Sequence, residues 1–138
     1  MQRLRLENVR AWQLAHAFTL EVCRMLKASA VAAADMRFSV GLFRTARSVE
    51  ANVAEGFRRG ADEASARCLR EALIALDAAT TAIDDGVDRG YFLRRATGPA
   101  LEVGRCTGQT IRSLHAYLER CAQTRRTTGR ARARPHEL

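Results

Sequence analysis

Apolar residues recur every three to four positions along four long segments of this chain, and nothing alternates with the period of two that a half-buried strand requires. That pattern restricts the fold to helix packed on helix. The first helix is expected over 8–30, with Trp12, Ala15, Thr19, Val22, Cys23 and Leu26 on one face. A second apolar strip, Leu14, Phe18 and Met25, lies about a third of a turn away and is expected to meet another copy of the chain. A connection of small residues from Ala28 to Asp35 follows. The second helix, over 36–59, carries Phe38, Leu42, Ala46, Val49, Val53 and Phe57 inward and stops at Gly60.

The third helix begins near 61–63, where Asp62 and Glu63 suit the positive end of a helix dipole. Its buried stripe is Cys68, Leu69, Ala72, Leu76, Ala79, Ile83 and Val87, and 86–90 closes it. Ile74 falls off the stripe and is a second candidate for an oligomer contact. The fourth helix is expected over 97–122, opened by Thr97-Gly98-Pro99 with Thr97 as its cap. It buries Val103, Ile111, Leu114, Tyr117, Leu118 and Cys121. Gly104 and Gly108 each cost a helix about 1 kcal/mol, which points to close helix approach. The whole reads as an all-α, up-down four-helix bundle over 1–123.

Length and composition agree with this. The chain has 138 residues and 47% hydrophobic content, enough for one domain with a core that needs no metal or disulfide staples. Cys23, Cys68, Cys106 and Cys121 show no metal-binding spacing and are expected reduced and mostly buried. No metal and no cofactor is implied. No apolar stretch reaches the roughly 18 residues of a membrane span, and no signal peptide is apparent, so a cytoplasmic protein is expected.

The net charge is +8, and Lys27 is the only lysine, so the positive charge is almost all guanidinium. Arginine favours bidentate contacts to phosphate, although a GC-rich genome would also enrich it. From Thr124 onward five arginines face one acid, Glu137, so this tail supplies +4 of the +8. With almost nothing to bury, 124–138 is expected to be a disordered arginine-rich tail. Its Arg125, Arg126, Arg130, Arg132 and Arg134 are candidate nucleic-acid contacts.

The stretch Ser48-Val49-x-x-Asn52-Val53-Ala54-Glu55-Gly56-Phe57-x-Arg59-Gly60 resembles the S-I-P-x-N-I-A-E-G-x-x-R signature of a bacterial family of four-helix bundles. These are the proteins encoded by intervening sequences within 23S rRNA genes. Leu69, Ala72, Leu73, Leu76, Gly90 and Tyr91 fall in register with its pattern, as do Trp12, Ala15 and Arg44, so the resemblance covers roughly 6–118. Glu50 stands where the family has proline, so the second helix is expected to lack a kink. The resemblance implies a ring-like homopentamer and transfers no catalytic residue. A distant branch, the accessory variability proteins of retroelements, implies binding of nucleic acid and of a nucleoprotein partner.

Asn52, Glu55, Gly56 and Arg59 of the signature read as a structural polar network in preference to a binding site. Arg37, Arg44, Arg47, Arg58 and Arg59 form an arginine face on the second helix, with Glu55 within reach of Arg58 and Arg59. That face is either a phosphate-binding stripe or a surface paired with Asp77, Asp84, Asp85 and Asp88 of a neighbouring subunit. The expected function is therefore a non-catalytic homo-oligomer binding RNA or another nucleic acid. One alternative is an assembly module for a protein partner. Another is a ribonuclease resembling small helical HEPN bundles, from the Arg10 and His16 spacing. Six residues apart, those two point different ways on a helix, and a semi-buried structural histidine is the simpler reading.

Overall fold

A computed structural model describes residues 2–60 and 62–133. These residues form five helices and no strand: α1 (Gln2–Ala28), α2 (Ala30–Ala34), α3 (Met36–Arg58), α4 (Glu63–Asp88) and α5 (Arg94–Ala133). The four long helices pack side by side in the cyclic order α1, α3, α4, α5, with α5 returning to α1. Cross-helix contacts run antiparallel. His16 meets Glu50 and Thr19 meets Ala46 between α1 and α3, and Gly56 faces Leu69 between α3 and α4. No helix among the described residues is long and apolar enough to cross a membrane.

The connection at 28–35 is more regular than expected. Ser29 Oγ accepts from Ala32 N at 3.1 Å and caps a short helix of four alanines and Val31, α2. Asp35 caps α3 in the same way, accepting from Phe38 N at 3.0 Å. Gly60 and Gly90, both at φ 78°, end α3 and α4 in the left-handed region that glycine adopts without strain. After α4 the termination is a full Schellman motif: Gly90 N donates to Val87 O and Tyr91 N to Gly86 O.

The expected inward residues of α3 and α4 largely hold, with Leu42, Ala46, Val49, Val53, Leu69, Ala72, Leu76, Ala79 and Ile83 all buried. Three aromatics do not: Trp12, Phe57 and Tyr117 are each about two-fifths exposed. On α1 the core face is rotated from the expected one and runs through Ala11, Ala15, Phe18, Val22 and Met25. Phe18 and Met25 thus belong to the chain's own core and cannot present their side chains to another copy. The reason is Gly104. Its missing side chain lets α5 approach α1 until the Phe18 ring lies 3.2 Å from where a Cβ would stand. One turn on, Gly108 faces α4 instead, with Leu76 Cδ2 3.2 Å from where its Cβ would stand.

Two further expectations change on α5. Its helix starts at Arg94, so Thr97 is inside it: fully buried, Thr97 Oγ1 donates back to Arg94 O at 2.7 Å and caps nothing. At the other end the helix continues through Thr124 to Ala133, and the rest of the expected disordered tail, 134–138, lies outside the described residues. Alanine and arginine are strong helix formers, and extending an existing helix avoids the cost of nucleation. The four cysteines are free and half-buried, less enclosed than expected.

The joint between α2 and α3 is tied to the turn after α4 by one polar cluster. Tyr91 Oη donates to Asp35 at 2.6 Å, the Arg89 guanidinium lies 3.9 Å from the same carboxylate, and Phe38 packs edge-on to Tyr91. The Tyr91 hydroxyl and the Phe38 amide, with Arg89 adding charge, hold the Asp35 carboxyl below its usual range. A depressed carboxyl stabilises the fold fully above its ordinary pKa, and that contribution disappears as pH falls through the folded value. Tyr91→Phe is therefore expected to raise the midpoint of acid unfolding. The stability gap to the parent chain should be constant near neutrality and shrink below about pH 4, the ordinary carboxyl range. Urea titrations across pH would show it, and a gap independent of pH would refute the coupling.

Candidate nucleic-acid interface

The arginines of α3 are all exposed, but much of their charge is already met within the helix. Glu55 accepts from Arg58 Nη2 at 2.7 Å through one oxygen and from Arg59 Nε at 2.9 Å through the other. Arg47 Nη1 stands 3.8 Å from Glu50. These are exposed pairs at helical spacing, worth a few tenths of a kcal/mol each, which a phosphate could displace. Arg37 and Arg44 sit toward the other end of α3. At 1.5 Å per residue, Arg37 and Arg58 are about 30 Å apart, so the stripe is long and thin.

The signature residues divide into two roles. Asn52 Nδ2 donates to Ser48 O at 2.9 Å, within its own helix. Gly56 carries the helix crossing: it is buried, a Cβ there would stand 3.4 Å from Leu69 Cδ2, and its carbonyl accepts from Ser65 Oγ at 2.7 Å. Asn52, Glu55 and Arg59 bond locally, so the cross-helix polar link of the signature is made through the Gly56 backbone.

A denser basic element lies on α5. Its 40 residues reach about 60 Å, against about 35 Å for α3, so its distal turns extend past the turn between α3 and α4. From Arg120 to Ala133 there are five arginines and no acid. Arg125, Arg126, Arg130 and Arg132 are all exposed, and Arg126 and Arg130 share one face of the helix with Gln123, Thr127 and Ala131. Arg126 is anchored by Glu63 at the start of α4, whose carboxyl it holds below the usual range by hydrogen bond and charge. Arg58 and Arg59 end α3 beside that same turn, so the structure brings them to the end of the bundle from which α5 extends, while Arg37 and Arg44 stay apart. Arg134 lies outside the described residues.

Two of the four candidate aspartates of α4 also find partners within the chain. Asp84 accepts from Arg94 at 2.7 Å and Asp85 from Arg89 at 3.0 Å. Of the expected oligomer contacts, Ile74 is 58% exposed and Leu14 half-buried, while Phe18 and Met25 are spent inside.

One polar site escaped the sequence reading. Glu50 is buried between α1 and α3, where His16 Nδ1 donates to it at 2.7 Å and Thr19 Oγ1 at 3.2 Å. Trp12 stacks on the His16 ring, 5.2 Å between centroids. The signal was present: Glu50 follows Ala46 by four and precedes Val53 by three, which puts a carboxylate on the apolar stripe. His16 is thus half-buried and committed to Glu50, and Arg10 is exposed. Among the described residues no group of three or more His, Cys, Asp or Glu is placed to hold a metal ion.

Neither a curated protein nor a solved structure matches the chain. The family resemblance is matched over a shorter span than expected, from α1 to the first turns of α5, and the arginine-rich distal turns lie beyond it. With residues 7–104 matching the family model of the 23S rRNA-intervening sequence protein, the chain belongs to that family.

Proposed function

We propose that this chain is a non-catalytic, homo-oligomeric bundle that binds RNA or another nucleic acid through arginine. The observation that carries the reading is the distal part of α5, a helical extension with five arginines and no acid between Arg120 and Ala133. Guanidinium groups on such a helix contact phosphates without reading sequence. Arg58 and Arg59 stand at the same end and can add to the patch once phosphate displaces Glu55. The homopentamer rests on the family resemblance. In a ring, each subunit repeats the basic helix, so several weak contacts act together as avidity.

The test is fluorescence anisotropy with the full chain on single-stranded RNA, duplex RNA and duplex DNA over a salt series. If four arginines per chain release counterions, affinity should fall about 100-fold between about 50 and 200 mM salt. Replacing Arg125, Arg126, Arg130 and Arg132 together with alanine keeps helix propensity while removing the charge, and should flatten that slope. Binding that is absent on all three ligands, insensitive to salt or unchanged in the quadruple variant would overturn the reading.

A further inference from the structure

We infer that the outer surface of α1 and α3 carries a subsite for single-stranded nucleic acid, in which an unpaired base stacks on Trp12 between phosphates held by Arg47 and Arg58. This rests on the nucleic-acid reading and adds to it a contact that separates single strands from duplexes. Trp12 is the only tryptophan of the chain and stands 40% exposed between the two helices. It borders a shallow cleft with Arg47, Ser48, Ala51 and Ala54 of α3, where the two alanines leave room beside the indole. Arg47, Ala51, Ala54 and Arg58 follow at i, i+4, i+7 and i+11, so they share one face of α3. The guanidinium groups thus end a stripe about 16 Å long. Exposed Arg5, seven residues before Trp12, adds a third on the same face of α1.

The indole is also braced. His16 lies parallel to it, with ring planes 5° apart and centroids 5.2 Å apart. His16 is fixed in turn by its 2.7 Å hydrogen bond to Glu50, which Thr19 also reaches at 3.2 Å. Glu50 lines the cleft as well, but it is 7% exposed and its oxygens accept from those two side chains. The charge presented to a ligand is therefore guanidinium, which favours an anionic occupant over an apolar helix of another protein. A platform already held in place loses little freedom when a base lands on it. Exposed aromatics among cations suit single strands, because the cations follow the backbone and every base offers a face to stack on. In a duplex those faces are covered by neighbouring bases, and Trp12 has nothing to stack on.

Tryptophan fluorescence of the full chain reports this site alone. The chain is titrated at low salt with oligouridylate, an abasic oligomer of the same length and duplex RNA, with anisotropy of each labelled ligand followed in parallel. Oligouridylate should quench the emission at the midpoint that anisotropy gives, and the other two should bind without quenching. Trp12→Ala should weaken oligouridylate binding by about 5- to 150-fold, the loss of one base–aromatic stack, and leave the other two ligands unaffected. Trp12→Phe keeps a ring and should recover most of that affinity. An indole that only shielded Glu50 from water would not distinguish a base from its absence. Arg47→Ala/Arg58→Ala should keep the quench and lower the salt slope by about one per arginine. All three positions are exposed, so helix content by circular dichroism should be unchanged.

Oligouridylate binding that neither quenches Trp12 nor weakens in Trp12→Ala would overturn the subsite and leave the nucleic-acid reading standing. Equal quenching by the abasic oligomer, or an unchanged salt slope in the double arginine variant, would do the same. A chain that binds none of the three ligands would remove both readings.

Discussion

Phe18→Ala is expected to lower folding stability by about 3–5 kcal/mol, the range for deleting a fully enclosed ring. The upper end applies because the wall opposite the ring is Gly104, which has no side chain to lean into the space, and Thr80 behind it is already packed. The cavity would stay open, so the lost contacts would not be recovered by collapse. Leu14→Ala, on the half-buried flank of the same helix, should cost much less. Denaturant titration at several protein concentrations measures both. A ring that met another copy would give a loss that depends on concentration. A ring enclosed in the chain's own core gives one that does not, and a loss below about 1 kcal/mol would refute that placement.

The two apolar strips of α1 show how far periodicity reaches. Spacing reveals that Phe18, Leu14 and Met25 share a strip and that Trp12 and Ala15 share another. It does not say which strip turns inward, because that is decided by how near the neighbouring helices come. Here Gly104 on α5, more than eighty residues away in sequence, lets that helix come against Phe18. The bundle itself and the close approach at Gly104 and Gly108 were legible, since apolar spacing and the cost of glycine in a helix are local properties. So was the pairing of Glu55 with Arg58 and Arg59, which helical geometry dictates.

What was not legible depends on tertiary neighbours. Glu50 becomes a buried acceptor only because α1 delivers His16 and Thr19 to it. Likewise Glu63 meets Arg126 across 63 residues, and composition suggested disorder where α5 continues as helix. The absence of core residues after Thr124 removes a reason to pack against the bundle, but it does not remove the propensity of alanine and arginine to prolong a helix already formed. For the candidate interface, the sequence supplied the arginines and the structure decided which of them share an end of the molecule.

Gly86→Ala should destabilise the chain by about 1–3 kcal/mol, against the gain of up to about 1 kcal/mol that the same change brings in an open helix. A Cβ at this position would stand 2.7 Å from both Cδ2 and Cε2 of Phe92 and 3.0 Å from Cζ of Phe38. Phe92 cannot simply withdraw. It is 6% exposed, and its backbone is held where it is by the hydrogen bonds that Tyr91 N and Phe92 N make to the carbonyl of Gly86 itself. Any retreat of the ring loosens the Schellman motif that turns the chain from α4 into α5. Phe92→Leu trims the obstructing edge, so in that background Gly86→Ala should cost far less, with a coupling of about 1 kcal/mol or more in a double-mutant cycle. Additive losses would mean that the ring and the glycine do not compete for the same space, and an alanine that stabilises the parent chain would show that α4 and the turn after it pack less closely than these distances require.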